Sequence, residues 1–191
     1  MGRRGQRARF KPGVYVFPGG MLERADYRVK PLTLLPKRFH KGLAVAGNRA
    51  KANALAMAAV REALEEAGLL FGAPGTLGHA QHPTWQSFAE QGLAPDLGKL
   101  DYLGRAITPT FQKIRFHARF FSTHFDQLTG QLGGDGELED LRWIRLDDLQ
   151  NYNMMEVQKM ILRTLADRLN GRPSPPQKLF FAWGRINIVD A

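Results

Sequence analysis

The most constraining stretch of this chain runs from about Lys51 to Ala67, where Ala and Leu dominate and neither Gly nor Pro interrupts. It predicts one long helix, stopped by Gly68 as its C′ residue, because glycine adopts left-handed backbone freely. The last turns read Arg61-Glu62-Ala63-Leu64-Glu65-Glu66. Glu62, Glu65 and Glu66 are spaced i, i+3 and i, i+4, so all three leave the same side of the helix. Like charges at that spacing repel by about 0.2–0.5 kcal/mol per pair. The negative end of the helix dipole adds to the strain. A cation would offset both, and a hard divalent ion such as Mg²⁺ or Mn²⁺ takes carboxylate oxygens and water. A solvated acidic face is the plain alternative, so the surroundings decide.

With 191 residues, 43% apolar and 24% charged, the chain suits one globular domain with a real core. No run of apolar residues is long enough for a membrane-spanning helix. The N-terminus MGRRGQRARFKPG lacks the apolar region of a secretory signal, and Gln6 stands where a myristoylation motif needs Ser or Thr. Cysteine is absent, which excludes disulfides and thiolate ligands. The cytoplasm is the expected location. A net charge of +9, gathered near Arg3–Lys11 and Lys37–Lys51, points to an anionic partner. Nucleic acid and a small phosphorylated substrate both satisfy it, but no nucleic-acid-binding signature is present.

Along the chain, VYVFPGG (14–20) reads as a strand ending in a turn. Residues 27–50 are basic and weakly periodic, and read as an insertion or long loop. Residues 72–100 are irregular apart from an amphipathic piece around Trp85–Gln91. Tyr102–Thr108 and Ile114–Thr123 read as strands around a loop, with Arg115, His117 and Arg119 on one face. GGDGE (133–137) is a turn, Leu141–Arg145 a short strand, and Glu156–Asn170 an amphipathic helix. RPSPPQ is a rigid spacer before the apolar tail LFFAWGRINIV. Strands before and after one helix, with a second long helix late, give an α/β (α+β) class.

The residues at 61–69, Arg-Glu-Ala-Leu-Glu-Glu-Ala-Gly-Leu, resemble the second half of the Nudix box. That box is a Gly, five residues, Glu, seven residues, then Arg-Glu-Ψ-x-Glu-Glu-x-Gly-Ψ, with Ψ aliphatic. Two registers compete for its first half. Ungapped spacing makes Gly47 the box glycine and puts Asn53 at the acidic position. Alternatively FPGGMLERAD opens the box, with Gly20 and Asp26 in those places and residues 27–50 inserted. The second register is favoured, because VFPGG followed by an acid and a long insert resembles the coenzyme A diphosphatase-like branch. ARFKPGVYVFPGG, AITPTFQKIRFHARFF and GELEDLRWIRLDDL also resemble that branch. The resemblance covers roughly residues 9–170, so residues 1–172 are expected to form the domain and 173–191 a spacer and tail.

The resemblance implies an α/β/α sandwich with a mixed central sheet, and a metal-dependent diphosphatase. Its substrate would be a nucleoside diphosphate linked to another moiety, such as coenzyme A, an acyl derivative or an ADP-ribose-like compound. Glu62, Glu65 and Glu66 with the Gly19 carbonyl would hold Mg²⁺ or Mn²⁺. Arg61 would orient them through Asp26, and Gly20 and Gly68 would be structural glycines. The general base could come from Glu137 or Glu139, or from a box glutamate. Arg105, Phe111 and Arg115 are candidate substrate contacts. His117 reads as an ordinary strand histidine or a ligand, and Lys113 and Arg119 as solvated or phosphate-binding. A fold of this type normally begins with a strand before the Arg-rich segment, and Met1–Arg4 resembles the end of one. The tail could add to that edge, join a second copy in a homodimer, or pack on the surface. A non-catalytic nucleotide- or RNA-binding module is the rival reading, and a hydrolase of capped RNA ends the third.

Overall fold

In the computed structural model, which describes residues 1–8 and 11–191, the chain orders its elements as follows. β1 (Gly2–Arg4), β2 (Tyr15–Val16), α1 (His40–Leu43) and α2 (Arg49–Ala67) lead into β3 (Leu69–Phe71) and β4 (Ala73–Pro74). α3 (Pro83–Glu90), β5 (Leu93–Ala94), β6 (Asp101–Ile107), β7 (His117–Ser122), β8 (Leu128–Gly130) and β9 (Leu138–Glu139) come next. α4 (Glu156–Leu169), β10 (Gln177–Ala182) and β11 (Arg185–Asp190) complete it.

The principal sheet runs β11-β10-β6-β7 and is mixed, since β10 pairs parallel to β6 while its other pairs are antiparallel. One face carries Leu103, Phe120 and Leu179 onto Met160 and Ile161 of α4. The other carries Tyr102 and Phe121 onto the segment before α2, where Phe39 and Leu43 lie. Helix, sheet and helix thus form three layers. A second, antiparallel sheet, β2-β1-β9, stands apart from it, so the expected central sheet comes in two pieces. No helix among the described residues is long and apolar enough to cross a membrane.

α2 is capped as its sequence dictates. The Asn48 side chain accepts from the Lys51 N–H at 2.9 Å, and Gly68 ends it at φ 69° while its N–H donates to Leu64. Its buried alanines, Ala52, Ala54 and Ala56, let neighbouring layers come close.

Several expectations need correction. Residues 27–50 are not a long loop. They hold a 3₁₀ turn at Lys37–Phe39, α1 and the start of α2, and they bury Val29, Leu35, Phe39, Leu43 and Val45 in the main core. The scattered aliphatics follow no single period because the segment turns repeatedly, which hid them from a periodicity reading. Leu141–Arg145 forms no strand; pairing stops at β9, where Asp140 takes a positive φ of 50°. Arg115 lies outside β7, which begins only at His117. Before it, the Phe116 N–H donates to the Thr108 hydroxyl at 3.0 Å and closes the loop.

The tail does add to a sheet, but not beside VYVF, where β1 already pairs with β2 and β9. It forms a hairpin whose first strand, β10, pairs with β6. Trp183 and Gly184 both have positive φ, the geometry of a two-residue primed turn that matches strand twist.

Candidate functional site

The centre of the site is Arg61, 1% exposed despite its charge. It points from α2 into a ring of oxygens. Nε donates to Asp26 at 3.0 Å, Nη2 to Asp26 at 3.3 Å and to the Met21 carbonyl at 2.7 Å, and Nη1 to Glu62 at 2.7 Å and Glu65 at 2.9 Å. Burial pulls against its charge, but Asp26 and Glu62 hold the guanidinium pKa above its ordinary value. Asp26 is itself buried, and its other anchor is the Glu23 N–H at 2.8 Å. The turn after β2 is therefore fastened to the acidic helix through one buried ion pair.

Gly20 passes so close to Glu62 that a Cβ there would collide with the Glu62 carboxylate. The residues that meet Arg61 and Glu62 are thus Gly20 and Asp26. Asn53, the acidic position of the ungapped register, does something else: its carbonyl accepts from the Leu35 N–H at 2.9 Å and ties the inserted segment to α2.

Glu66 is 5% exposed and accepts from the Gly19 N–H at 2.7 Å. Burial, with repulsion from Glu62, Glu137 and Asp135, pushes its carboxyl up to about 7 despite that hydrogen bond. Glu62 is also raised, by burial first and by Glu65 and Glu137, against the pull of Arg61. The loop carrying Glu137 docks on the end of α2: the Gly133 N–H donates to Ala67 at 3.1 Å and the Asp135 N–H to Glu65 at 2.9 Å. Glu137 therefore faces the carboxylates, whereas Glu139 turns away to pair with Arg3 at 3.2 Å.

Two neighbours escaped the sequence reading. The hydroxyl of Thr84, near the start of α3, donates a short hydrogen bond to Glu65, and His82 lies 3.8 Å from Glu65 and 3.7 Å from Glu23. They are two residues apart, at the N-cap and second residue of α3, but far from the box in sequence, and the His-Pro-Thr helix start was the available signal. Thr84→Val, which strips Glu65 of that hydrogen bond, is expected to lower stability by about 1 kcal/mol in urea unfolding, with Thr84→Ser near wild type; equal unfolding midpoints for Thr84→Val and wild type would sink this role.

Other candidates lie elsewhere. Phe111 is exposed in the loop after β6 and packs edge-on against Phe181 at 5.0 Å. Arg105, His117 and Arg119 sit together on β6 and β7, away from the carboxylates, and Lys113 and Arg115 lie in the exposed loop between those strands.

A crystal structure of a Nudix hydrolase from Alicyclobacillus acidocaldarius superposes with a TM-score of 0.62 at 26% identity, covering 86% of this chain and 81% of that one. An acyl-coenzyme A diphosphatase of Gallus gallus is 35% identical over 94 residues. The chain is therefore similar in fold and sequence to a Nudix hydrolase. The diphosphatase match takes in 38% of this chain and 25% of the relative, so the chain spans about a quarter of that relative's length. No protein-family model matches the chain.

Proposed function

We propose that this chain acts as a Nudix hydrolase and hydrolyses the diphosphate of a nucleoside diphosphate linked to another moiety, with a divalent cation as cofactor. The observation that carries the reading is the crowding of Glu62, Glu65 and Glu66 around a single buried arginine, with Glu66 left beside one backbone N–H. That leaves negative charge in excess of its local partners.

The donor set suits Mg²⁺ or Mn²⁺, being all hard oxygen. Among the described residues no three His, Cys, Asp or Glu side chains form a ready-made cage. Mg²⁺ needs none, since it typically uses one or two carboxylates, water and the substrate's own phosphates. Glu62, Glu66 and the Gly19 carbonyl would hold it, with Glu65 completing the acidic wall. Once bound, the ion supplies charge shielding for the diphosphate and a lowered pKa for the attacking water.

The chain's own residues do the rest. Arg61 fixes the rotamers of Glu62 and Glu65, and Thr84 fixes the other oxygen of Glu65. Glu137, on a loop pinned by Asp135, is the candidate to take the proton from the attacking water. Coenzyme A or an acyl derivative is the first substrate to try, by analogy with the acyl-coenzyme A diphosphatase of Gallus gallus; ADP-ribose-like compounds come next.

The test is phosphate-coupled turnover over a panel of such compounds, with and without Mg²⁺, for wild type beside Glu62→Gln. Metal-dependent turnover that falls by about 10²- to 10³-fold in the variant is expected, the usual loss when one charge-stabilising group is removed. Metal-independent turnover, or a variant as fast as wild type, would discard the proposal.

A further inference from the structure

The principal sheet carries a second concentration of charge, of opposite sign. Lys178 on β10 pairs directly with Arg105 on β6, and Arg105 pairs directly with Arg119 on β7. Paired residues share a face, so three adjacent strands present three cations in one row. Like charges placed directly across a ladder destabilise it, so the arrangement calls for a counter-charge.

Among the described residues, none of the three forms an ion pair. The nearest carboxylate along β6, Asp101, is committed to Arg168. Arg119 spends its donors on the Leu43 and His117 carbonyls, and Arg105 Nη1 donates to the neutral His117 Nε2 at 3.2 Å. Arg105 Nε is buried with no acceptor. Lys178 rests over the Phe180 ring at 4.3 Å, which leaves its charge uncompensated. The His117 ring records the result: burial, then Arg119, Arg105, Lys51 and Lys178, push its pKa down to about 4.

We propose that the row Lys178–Arg105–Arg119, with Lys51 from the first turn of α2, is an anion site for a phosphomonoester, separate from the acidic cluster. A doubly charged group with several acceptor oxygens matches the donors of Arg105 and Lys178, with Arg119 adding charge, better than a halide or a carboxylate does. Lys51 and Glu62 lie on the same helix roughly 16 Å apart, from the 1.5 Å rise per residue. One extended substrate could therefore place its diphosphate at the carboxylates and a second phosphate at the row. A free phosphate compound could equally fill the row alone. The site needs the tail hairpin, because β10 brings Lys178, and it needs the inserted segment, because Leu43 anchors Arg119.

The experiment titrates inorganic phosphate at constant ionic strength, without divalent metal, and reads both thermal shift and calorimetric Kd. Wild type is set beside Arg105→Gln, Lys178→Gln and Glu62→Gln. Phosphate is expected to stabilise wild type and Glu62→Gln equally, and to bind Arg105→Gln and Lys178→Gln at least about fivefold more weakly. Both row variants should melt no lower than wild type without ligand, since each relieves repulsion. No phosphate response in wild type, or an equal response in the row variants, overturns the proposal. The Glu62→Gln arm is silent on catalysis, so failure here is distinct from failure of the diphosphatase reading.

A kinetic arm separates the two sources of phosphate. A rise in KM in Arg105→Gln that is confined to substrates bearing a second phosphate assigns the row to substrate. An unchanged KM alongside weakened phosphate binding assigns it to a free phosphate compound.

Discussion

Glu66→Gln is expected to make the metal-free protein more stable above pH 7 while abolishing most of its turnover. The Glu66 carboxyl ordinarily titrates near 4.5 and stands at about 7 in the fold, chiefly through burial. A raised acid binds its proton more tightly when folded than unfolded, so the folded state is favoured at low pH. Stability is then lost as pH rises from 4.5 through 7, the reverse of the usual salt-bridged carboxylate. Over that span the loss attributable to Glu66 is at most roughly 3 kcal/mol. The glutamine keeps the shape and can still accept from the Gly19 N–H, but it carries no charge to bury. Melting curves of wild type should therefore fall between pH 5 and 8 relative to Glu66→Gln, and the two should converge near pH 4. Mg²⁺ should restore wild type at pH 8, since a bound ion stabilises the state that holds it, and should leave the variant unmoved. Parallel pH profiles for the two proteins, or equal Mg²⁺ stabilisation, would refute the account.

What could be read from the sequence divides along physical lines. The long helix, its Gly68 stop and the common side of its glutamates follow from local rules, namely propensity, capping and 3.6-residue spacing. α2 keeps all three. Lines that depend on packing were less legible. Residues 27–50 looked like a loop because their aliphatics obey no single period, yet the buried Leu35, Phe39 and Leu43 form part of the main core. The expected strand at 141–145 failed because alternation alone ignores the backbone turn at Asp140. Thr84 could not be found from spacing to the box, since α3 reaches Glu65 only through tertiary contact. The cation row was equally hidden. Arg105, Arg119 and Lys178 become neighbours only when a parallel strand from the tail fixes the register.

Arg61→Met should be the most destabilising single substitution at the site, costing about 3–5 kcal/mol, as removing one partner of a buried ion pair does. The reason lies with what remains. Asp26 is 2% exposed and would keep only the Glu23 N–H, leaving a carboxylate in the interior without its cation. The Met21 carbonyl would lose its donor, and Glu62 and Glu65 would face one another with nothing between them. Lysine is no substitute: a single ammonium cannot span Asp26, Met21 and the two glutamates as the planar guanidinium does. Arg61→Lys should therefore recover only part of the loss. The double variant Arg61→Met/Asp26→Leu removes the stranded carboxylate, and urea unfolding should show it more stable than Arg61→Met alone. If the double variant instead unfolds at lower urea than the single one, Asp26 is held by more than Arg61, and this buried ion pair is not what fastens the Gly20 turn to the acidic helix.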